Sequence, residues 1–272
     1  MEDPNRAHHR TDRLAARRRF DEVECTISHL LRFPHPALGG RRYGEALLQG
    51  IAGRGIRPAR SGVVEIGGGA GHVAEAAWRG DAGPFTGARW TALDLSPALI
   101  AAQRRRALER SQPGGRHLRW TGVRADALEL PFASGSVDGL VLANEVLADL
   151  PVEAGRNTGA IRLVRELSRV LASGGAAVLT EFGGDFDPGP VRLLAACGQG
   201  EHVEWSIDFR SIRAAAVQAG LAVGAPASKT ATRCVRSIPP RGVSTTSGMG
   251  GREPREIAFI KPPPRPKFPR MI

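Results

Sequence analysis

Three acidic residues and a run of glycines carry the most chemistry in this chain. Residues 63–76, VVEIGGGAGHVAEA, pass from an apolar run through Glu65, Gly67, Gly69 and Gly71 into a helical pattern. A strand that breaks into glycines and restarts as a helix brings bare backbone close to a ligand and aims helix N–H groups at it. A triphosphate loop needs GxxxxGK[ST], and no lysine stands within reach, so that class is excluded. A dinucleotide loop stays open, because Gly69, Gly71 and Ala74 satisfy GxGxx[GA]. Asp94 closes the next apolar run, with Leu95 beside it, and a carboxylate there can accept both hydroxyls of a ribose. Asp126-Ala127 follows a third such run. A glycine loop and acids at the ends of three successive strands describe a nucleotide site at the carboxyl edge of a parallel sheet.

The elements that must hold these residues follow from apolar periodicity. Strands are expected over 61–66, 90–94, 118–123, 137–143, 175–181, 221–227 and 255–261, and helices over 70–79, 97–111, 160–172 and 207–219. Ser96 is placed to cap the 97–111 helix, with Pro97 at its first position. This alternation predicts an α/β fold, a seven-stranded and mostly parallel sheet with helices on both faces. Residues 13–31 and 41–51 read as two further helices, separated by FPHPALGG. The chain divides into a disordered basic N-terminus (1–12), an N-terminal helical lid (13–60), the α/β domain (61–261) and a proline-rich basic tail (262–272). The stretch RSIPPRGVSTTSGMGG, 236–251, predicts a long loop.

With its acids, the Glu65-x-Gly67-x-Gly69-x-Gly71 loop resembles that of class I methyltransferases dependent on S-adenosylmethionine (SAM). In those enzymes the glycines pass the methionine moiety and the preceding acid helps organise its amino-acid end. RADALELPF (124–132) is similar to their third-strand stretch, where the acid accepts a hydrogen bond from the adenine amino group. The resemblance implies a Rossmann-like class I methyltransferase fold and SAM as cofactor. It implies Glu65, Gly67, Gly69, Gly71, Asp94, Leu95, Asp126, Ala127 and Asn144 as cofactor-binding residues. From Trp90 on, three segments resemble the MidA family: SPALIAAQRRRAL (96–108), GLVLANEVLADLPV (139–152) and EHVEWSIDFRSIRAAAVQAGL (201–221). Members of that family are SAM-dependent methyltransferases linked to assembly of mitochondrial complex I, and include a protein arginine methyltransferase. The chain departs from MidA at Ala148-Asp149-Leu150, where the family has Asp-Ala-Leu, and in lacking much of the inserted substrate region.

Methyl transfer is an in-line displacement, so the protein must place a nucleophile about 3 Å from the methyl group and keep it unprotonated. Candidates belong at strand ends facing the cofactor. Asn144 and Glu145 end the fourth strand: Glu145 can hold a guanidinium or amine and accept its proton, and Asn144 can orient it. Glu181, in LTEFGG at the end of the fifth strand, is the second substrate-side carboxylate. Asp149, His72, His202, Tyr43 and His35 are further candidates, the last two in the lid segment. The expected activity is methyl transfer to a nitrogen, such as that of arginine, in a protein or peptide; a small-molecule acceptor or a non-catalytic SAM-binding assembly role are the alternatives.

Composition narrows the partners. The net charge of +11 suggests nucleic acid, but only Lys229, Lys261 and Lys267 among 38 basic residues are lysines. Arginines spread over many helix faces give no nucleic-acid footprint. Cys25, Cys197 and Cys234 are odd in number and far apart, which excludes a disulfide framework, gives no metal-ligand spacing and fits a reducing cytoplasm. No run approaches the roughly 18–20 apolar residues of a membrane helix. Glu2, Asp3 and Asp12 argue against an organelle-targeting leader in the Arg-rich N-terminus.

Overall fold

Apolar runs of four or five residues become the parallel strands of this protein, and amphipathic runs between them become helices that cover both faces. The computed structural model describes residues 31–80, 82–110, 119–185, 187–194, 201–224 and 253–260. The expectations for the N-terminus, for the 13–31 helix before Leu31, for the 236–251 loop and for the 262–272 tail lie outside the described residues. In chain order the elements are α1 (Tyr43–Gly53), β1 (Val63–Ile66), α2 (His72–Arg79), β2 (Trp90–Asp94), α3 (Pro97–Arg110), β3 (Trp120–Arg124) and β4 (Leu140–Asn144). There follow α4 (Thr158–Val170), β5 (Ala176–Gly184), β6 (Pro190–Leu194), β7 (Glu201–Trp205), β8 (Ile207–Asp208), α5 (Phe209–Gln218), β9 (Ala222–Val223) and β10 (Glu253–Ile260).

The main sheet runs β3-β2-β1-β4-β5-β10-β9, with β8 beside the end of β5. β1 pairs in parallel with β2 and β4, and β4 with β5, whereas β10 is antiparallel to both β5 and β9. Every residue of β1 is buried, as a central parallel strand covered on both faces requires. On one face Val64, Ile66, Val141, Ala143 and Leu179 pack under Leu163, Leu167, Phe209 and Ile212 of α4 and α5. On the other, Val63, Leu140, Leu142, Val178 and Trp90 pack under Leu48, Ile51, Val73 and Ala77 of α1 and α2.

Most boundaries fall close to the sequence expectation, with informative differences. β4 starts at Leu140 and not at 137, because Val137 makes only an isolated bridge with Leu171. The last helix starts at Phe209, since Ile207 and Asp208 pair with β5 and the Asp208 side chain then caps α5 by accepting from the Arg210 N–H. β6 and β7 form a separate antiparallel hairpin that apolar periodicity missed. Its base is closed by the Ser206 N–H donating to the Gly189 carbonyl at 3.0 Å. Asn157 ties that base to the start of α4: its Nδ2 donates to the Ser206 carbonyl at 3.2 Å and its Oδ1 accepts from the Asp208 N–H at 3.0 Å.

Candidate active site at the carboxyl edge of the sheet

The glycine loop after β1 is shaped by what lies behind it and open in front. Gly67, Gly69 and Gly71 all have positive φ, of 63, 53 and 83°. A Cβ on Gly67 would meet Val146 Cγ2 at 2.5 Å, and one on Gly71 would meet Gln103 Cγ at 3.0 Å, so these two glycines permit close packing. A Cβ on Gly69 would meet nothing within 4 Å. The middle glycine therefore faces the space a ligand would fill, and the bare backbone there fits the cofactor's methionine end. Two residues of α3 brace the loop from behind: Gln103 Nε2 donates to the Gly69 carbonyl at 3.0 Å and Arg106 Nε to the Ala70 carbonyl at 2.8 Å. Arg106 also pairs with Glu75 of α2 at 3.0 Å. Sequence reasoning had no role for Arg106, and saw Gln103 only as part of a resembling segment.

The acids take different places. Glu65 lies beneath the loop, 1% exposed, with Oε2 accepting from the Trp90 indole N–H at 2.8 Å. A Cβ on Gly68 would sit 2.7 Å from the Glu65 carboxyl carbon, so Glu65 supports the loop directly. Burial pushes its pKa up from 4.5 to about 8; the Trp90 bond opposes the rise and the Asp94 charge adds to it. Asp94 ends β2 at the carboxyl edge, its Oδ1 accepting from the Ser96 N–H at 2.8 Å, and the neighbouring Leu95 is 39% exposed. Asp126 Oδ1 accepts from the Leu128 N–H at 2.9 Å, which turns the chain after β3 with Ala127 half-buried beside it. Gly69, Asp94 and Asp126 thus line one edge at the ends of β1, β2 and β3, the order a nucleoside and its amino-acid end would need.

At the same edge, β4 ends in a clamp. Asn144 Oδ1 accepts from the Thr180 hydroxyl at 2.6 Å and from the Tyr43 hydroxyl at 2.8 Å. Glu145 has φ 52°, a left-handed conformation costly for any residue with a side chain. Its N–H donates to the Thr180 carbonyl at 2.9 Å, while Val146 next to it packs on Gly67. Glu181 is 2% exposed, and its Oε2 accepts from the Ala148 N–H at 3.2 Å, bracing the single 3-10 turn Leu147–Asp149 that contains Asp149. His72 opens α2, 9% exposed, with Nδ1 3.8 Å from Glu75. His35 forms a backbone bridge with Arg41 ahead of α1, and His202 lies in β7 opposite Leu193. The structure brings Tyr43, Asn144 and Thr180 together; Thr180 carried no sequence signal. A surface depression of about 440 Å³ lined by Arg60, Ser61, Arg89 and Asp138 lies at the opposite, amino edge, away from these groups.

Residues 64–179 match the family model described as a methyltransferase domain. No curated protein matches the chain. Among solved structures it is similar to the glycopeptide N-methyltransferase MtfA complexed with sinefungin, at 16% identity over 81% of this chain and 87% of that one, TM-score 0.52. MtfA has also been crystallised with SAM. The chain is similar to a TehB-like SAM-dependent methyltransferase from Corynebacterium glutamicum at 17% identity, over 83% of this chain and 91% of that one, TM-score 0.50. Its likeness to the [4+2]-cyclase SpnF is of the same order, 17% identity over 82% and 83% of the two chains, TM-score 0.53. At such identities the likeness is one of fold. The comparisons give the MidA resemblance no support. The methyltransferase-domain match, the strand order and the open glycine cradle make this chain a class I SAM-dependent methyltransferase, with SAM as its cofactor.

Proposed function

We propose that the enzyme transfers the methyl group to a nitrogen of a peptide or a small amine-bearing molecule, with Glu145 as the acceptor-side carboxylate. The kink at Glu145 carries this reading. A left-handed residue other than glycine costs about 1–2 kcal/mol and persists only where its surroundings hold it. Here the Thr180 carbonyl and the Val146–Gly67 packing hold it, beside the glycine loop. SAM, when bound, supplies a methyl group on a sulfonium. The chain's own residues do the rest: Gly69 admits the cofactor's backbone-hugging end, Asp94 takes the ribose and Asp126 the adenine. Glu145 pairs with the cationic amine and takes its proton, freeing the lone pair that attacks. The described part of the N-terminal region, α1, packs Leu48 and Ile51 on the sheet face and brings Tyr43 to this edge.

Glu181 Oε2 accepts from the Ala148 N–H, so this buried carboxylate braces the turn after Glu145 and supports the acceptor side from behind. Asn144 and Glu145 lie in the segment ANEVLADLPV, and a MidA-like protein acceptor is the finer form of this reading. The second reading is a small molecule of secondary metabolism, in keeping with the fold likeness to the glycopeptide N-methyltransferase MtfA and the [4+2]-cyclase SpnF. No described helix is long and apolar enough to cross a membrane. The cysteine pattern supports a reducing cytoplasm as its place of work. Incubation of the protein with methyl-labelled SAM and extract of its source cells tests the reading. Label on nitrogen in peptide or protein supports the first form, and label on a small amine the second. Label confined to oxygen or carbon atoms would refute nitrogen transfer.

A further inference from the structure

Tyr43 is the chain's one tyrosine and the first residue of α1. It reaches Asn144, 101 residues away, because α1 sits tightly on the first turn of α2. Gly44 makes that seat possible, since a Cβ there would stand 3.0 Å from Val73 Cα and 3.2 Å from the His72 carbonyl oxygen. A carboxamide oxygen has two lone pairs. Those of Asn144 are both taken, by the Tyr43 hydroxyl at 2.8 Å and the Thr180 hydroxyl at 2.6 Å. Asn144 Nδ2 has no hydrogen-bond acceptor among the described residues, and the residue is half-buried at the carboxyl edge.

We infer that Tyr43 is a positioning residue that, with Thr180, turns Asn144 into a donor-only group, so that the ligand atom meeting Asn144 is a carboxylate or carbonyl oxygen and not the reacting amine. This rests on the reading of Asn144 as part of the transfer site. Two donors from separate elements, α1 and β5, fix the carboxamide plane and leave its NH₂ as the one remaining capacity. An ammonium has only donors and finds nothing to bind there. The adjoining Glu145, acceptor-only when ionised, is the complementary partner for that ammonium. Thr180 sets the pair side by side, through its hydroxyl on Asn144 and its carbonyl on the Glu145 N–H. The site thus selects a ligand that carries an oxygen acceptor close to a cationic nitrogen. The amino-acid end of the cofactor and an amino-acid or peptide acceptor share that chemistry.

The chain has three asparagines, Asn5, Asn144 and Asn157, so asparagine-labelled protein gives three side-chain amide pairs and three Cγ signals. The Asn144 signals are those lost in Asn144→Asp. In the full chain, Tyr43→Phe should move Asn144 Cγ upfield, as loss of a donor to its oxygen requires, while Asn157 Cγ stays in place. Thr180→Val should reproduce the shift and Thr180→Ser should not, which keeps the test sound if one variant folds poorly. S-adenosylhomocysteine should move the Asn144 amide pair in the wild type and at most half as far in Tyr43→Phe, with affinity by calorimetry changed less than threefold. 5′-Methylthioadenosine, which lacks the amino-acid end, separates the sources. A shift with S-adenosylhomocysteine alone assigns the oxygen to the cofactor. A shift that appears only when glycinamide is added to protein saturated with S-adenosylhomocysteine assigns it to the acceptor. Asn144 Cγ unmoved in both Tyr43→Phe and Thr180→Val overturns the inference. A Cγ shift with an amide pair that ignores all three compounds removes Asn144 from the site, which is a failure of the functional reading and not of the clamp.

Discussion

Glu65→Gln removes the ionisable group of the carboxyl buried beneath the glycine loop. The wild-type carboxyl is 1% exposed and its pKa rises from 4.5 to about 8. Between those values the folded protein holds a proton that the unfolded chain has released. Stability from this group is complete below pH 4.5 and is lost as pH climbs through 8. Each pH unit in that window costs about 1.4 kcal/mol, and the full span about 5 kcal/mol. Glutamine keeps an oxygen for the Trp90 indole N–H but has no proton to lose. The two proteins should therefore melt together near pH 4.5 and diverge above it, the variant becoming the more stable. For a chain of this size about 1.4 kcal/mol corresponds to roughly 3–6 °C, so the melting-temperature gap should widen by that much per unit up to pH 8. The assay is thermal unfolding by circular dichroism at pH 5, 6, 7 and 8, in which every other titrating group cancels between the two proteins. A gap that stays constant with pH would refute a protonated Glu65.

The remaining predictions concern the loop, the kink and the hairpin. Gly69→Val puts a branched side chain at φ 53° into the open cradle; calorimetry should find SAM binding abolished while circular dichroism finds the fold intact. Glu145→Gln should keep SAM affinity and slow transfer at least about tenfold, the low end of acid–base effects, in a labelled-methyl assay with the acceptor that the labelling experiment identifies. Unchanged turnover would remove Glu145 from the mechanism. Asn157→Ala loses two buried hydrogen bonds at the base of the β6–β7 hairpin and leaves their partners unsatisfied. Its melting temperature should fall by an amount equal to about 1–3 kcal/mol per orphaned group, with SAM affinity unchanged.

The cofactor half of the site was legible because its signals are local. Glu65 through Gly71, Asp94 and Asp126 each follow an apolar run, and strand–loop–helix geometry puts such residues at the carboxyl edge of the sheet. Even there, type and position did not give direction: Glu65 supports the loop from below, which depends on Trp90 of the neighbouring strand. The substrate half was legible only as a segment. No periodicity reports that Glu145 is left-handed, because the cause is a carbonyl on β5 and a valine packed on a glycine 79 residues earlier. Nothing in LTEFGG shows that Glu181 also braces the Leu147–Asp149 turn, because its partner, the Ala148 N–H, lies 33 residues earlier. The β6–β7 hairpin escaped notice because two five-residue strands, paired with each other and with no other described strand, are too short for a clear period-2 signal.

The antiparallel strand β10 has a consequence for the order in which the enzyme becomes whole. It pairs with β5 over eight positions, Glu256 opposite Thr180 and Arg255 opposite Glu181. β1 to β3 and the loop after β1, with the β4 residues and Val146 that pack on them, are all made by residue 146. The strand that flanks Thr180 arrives about 80 residues after it, a delay of roughly 4–16 s at ordinary translation rates. For that interval the nascent chain holds β5 with one side open to any passing strand. Thr180, which holds Asn144 and Glu145, thus sits on a strand whose second edge stays bare until β10 is made.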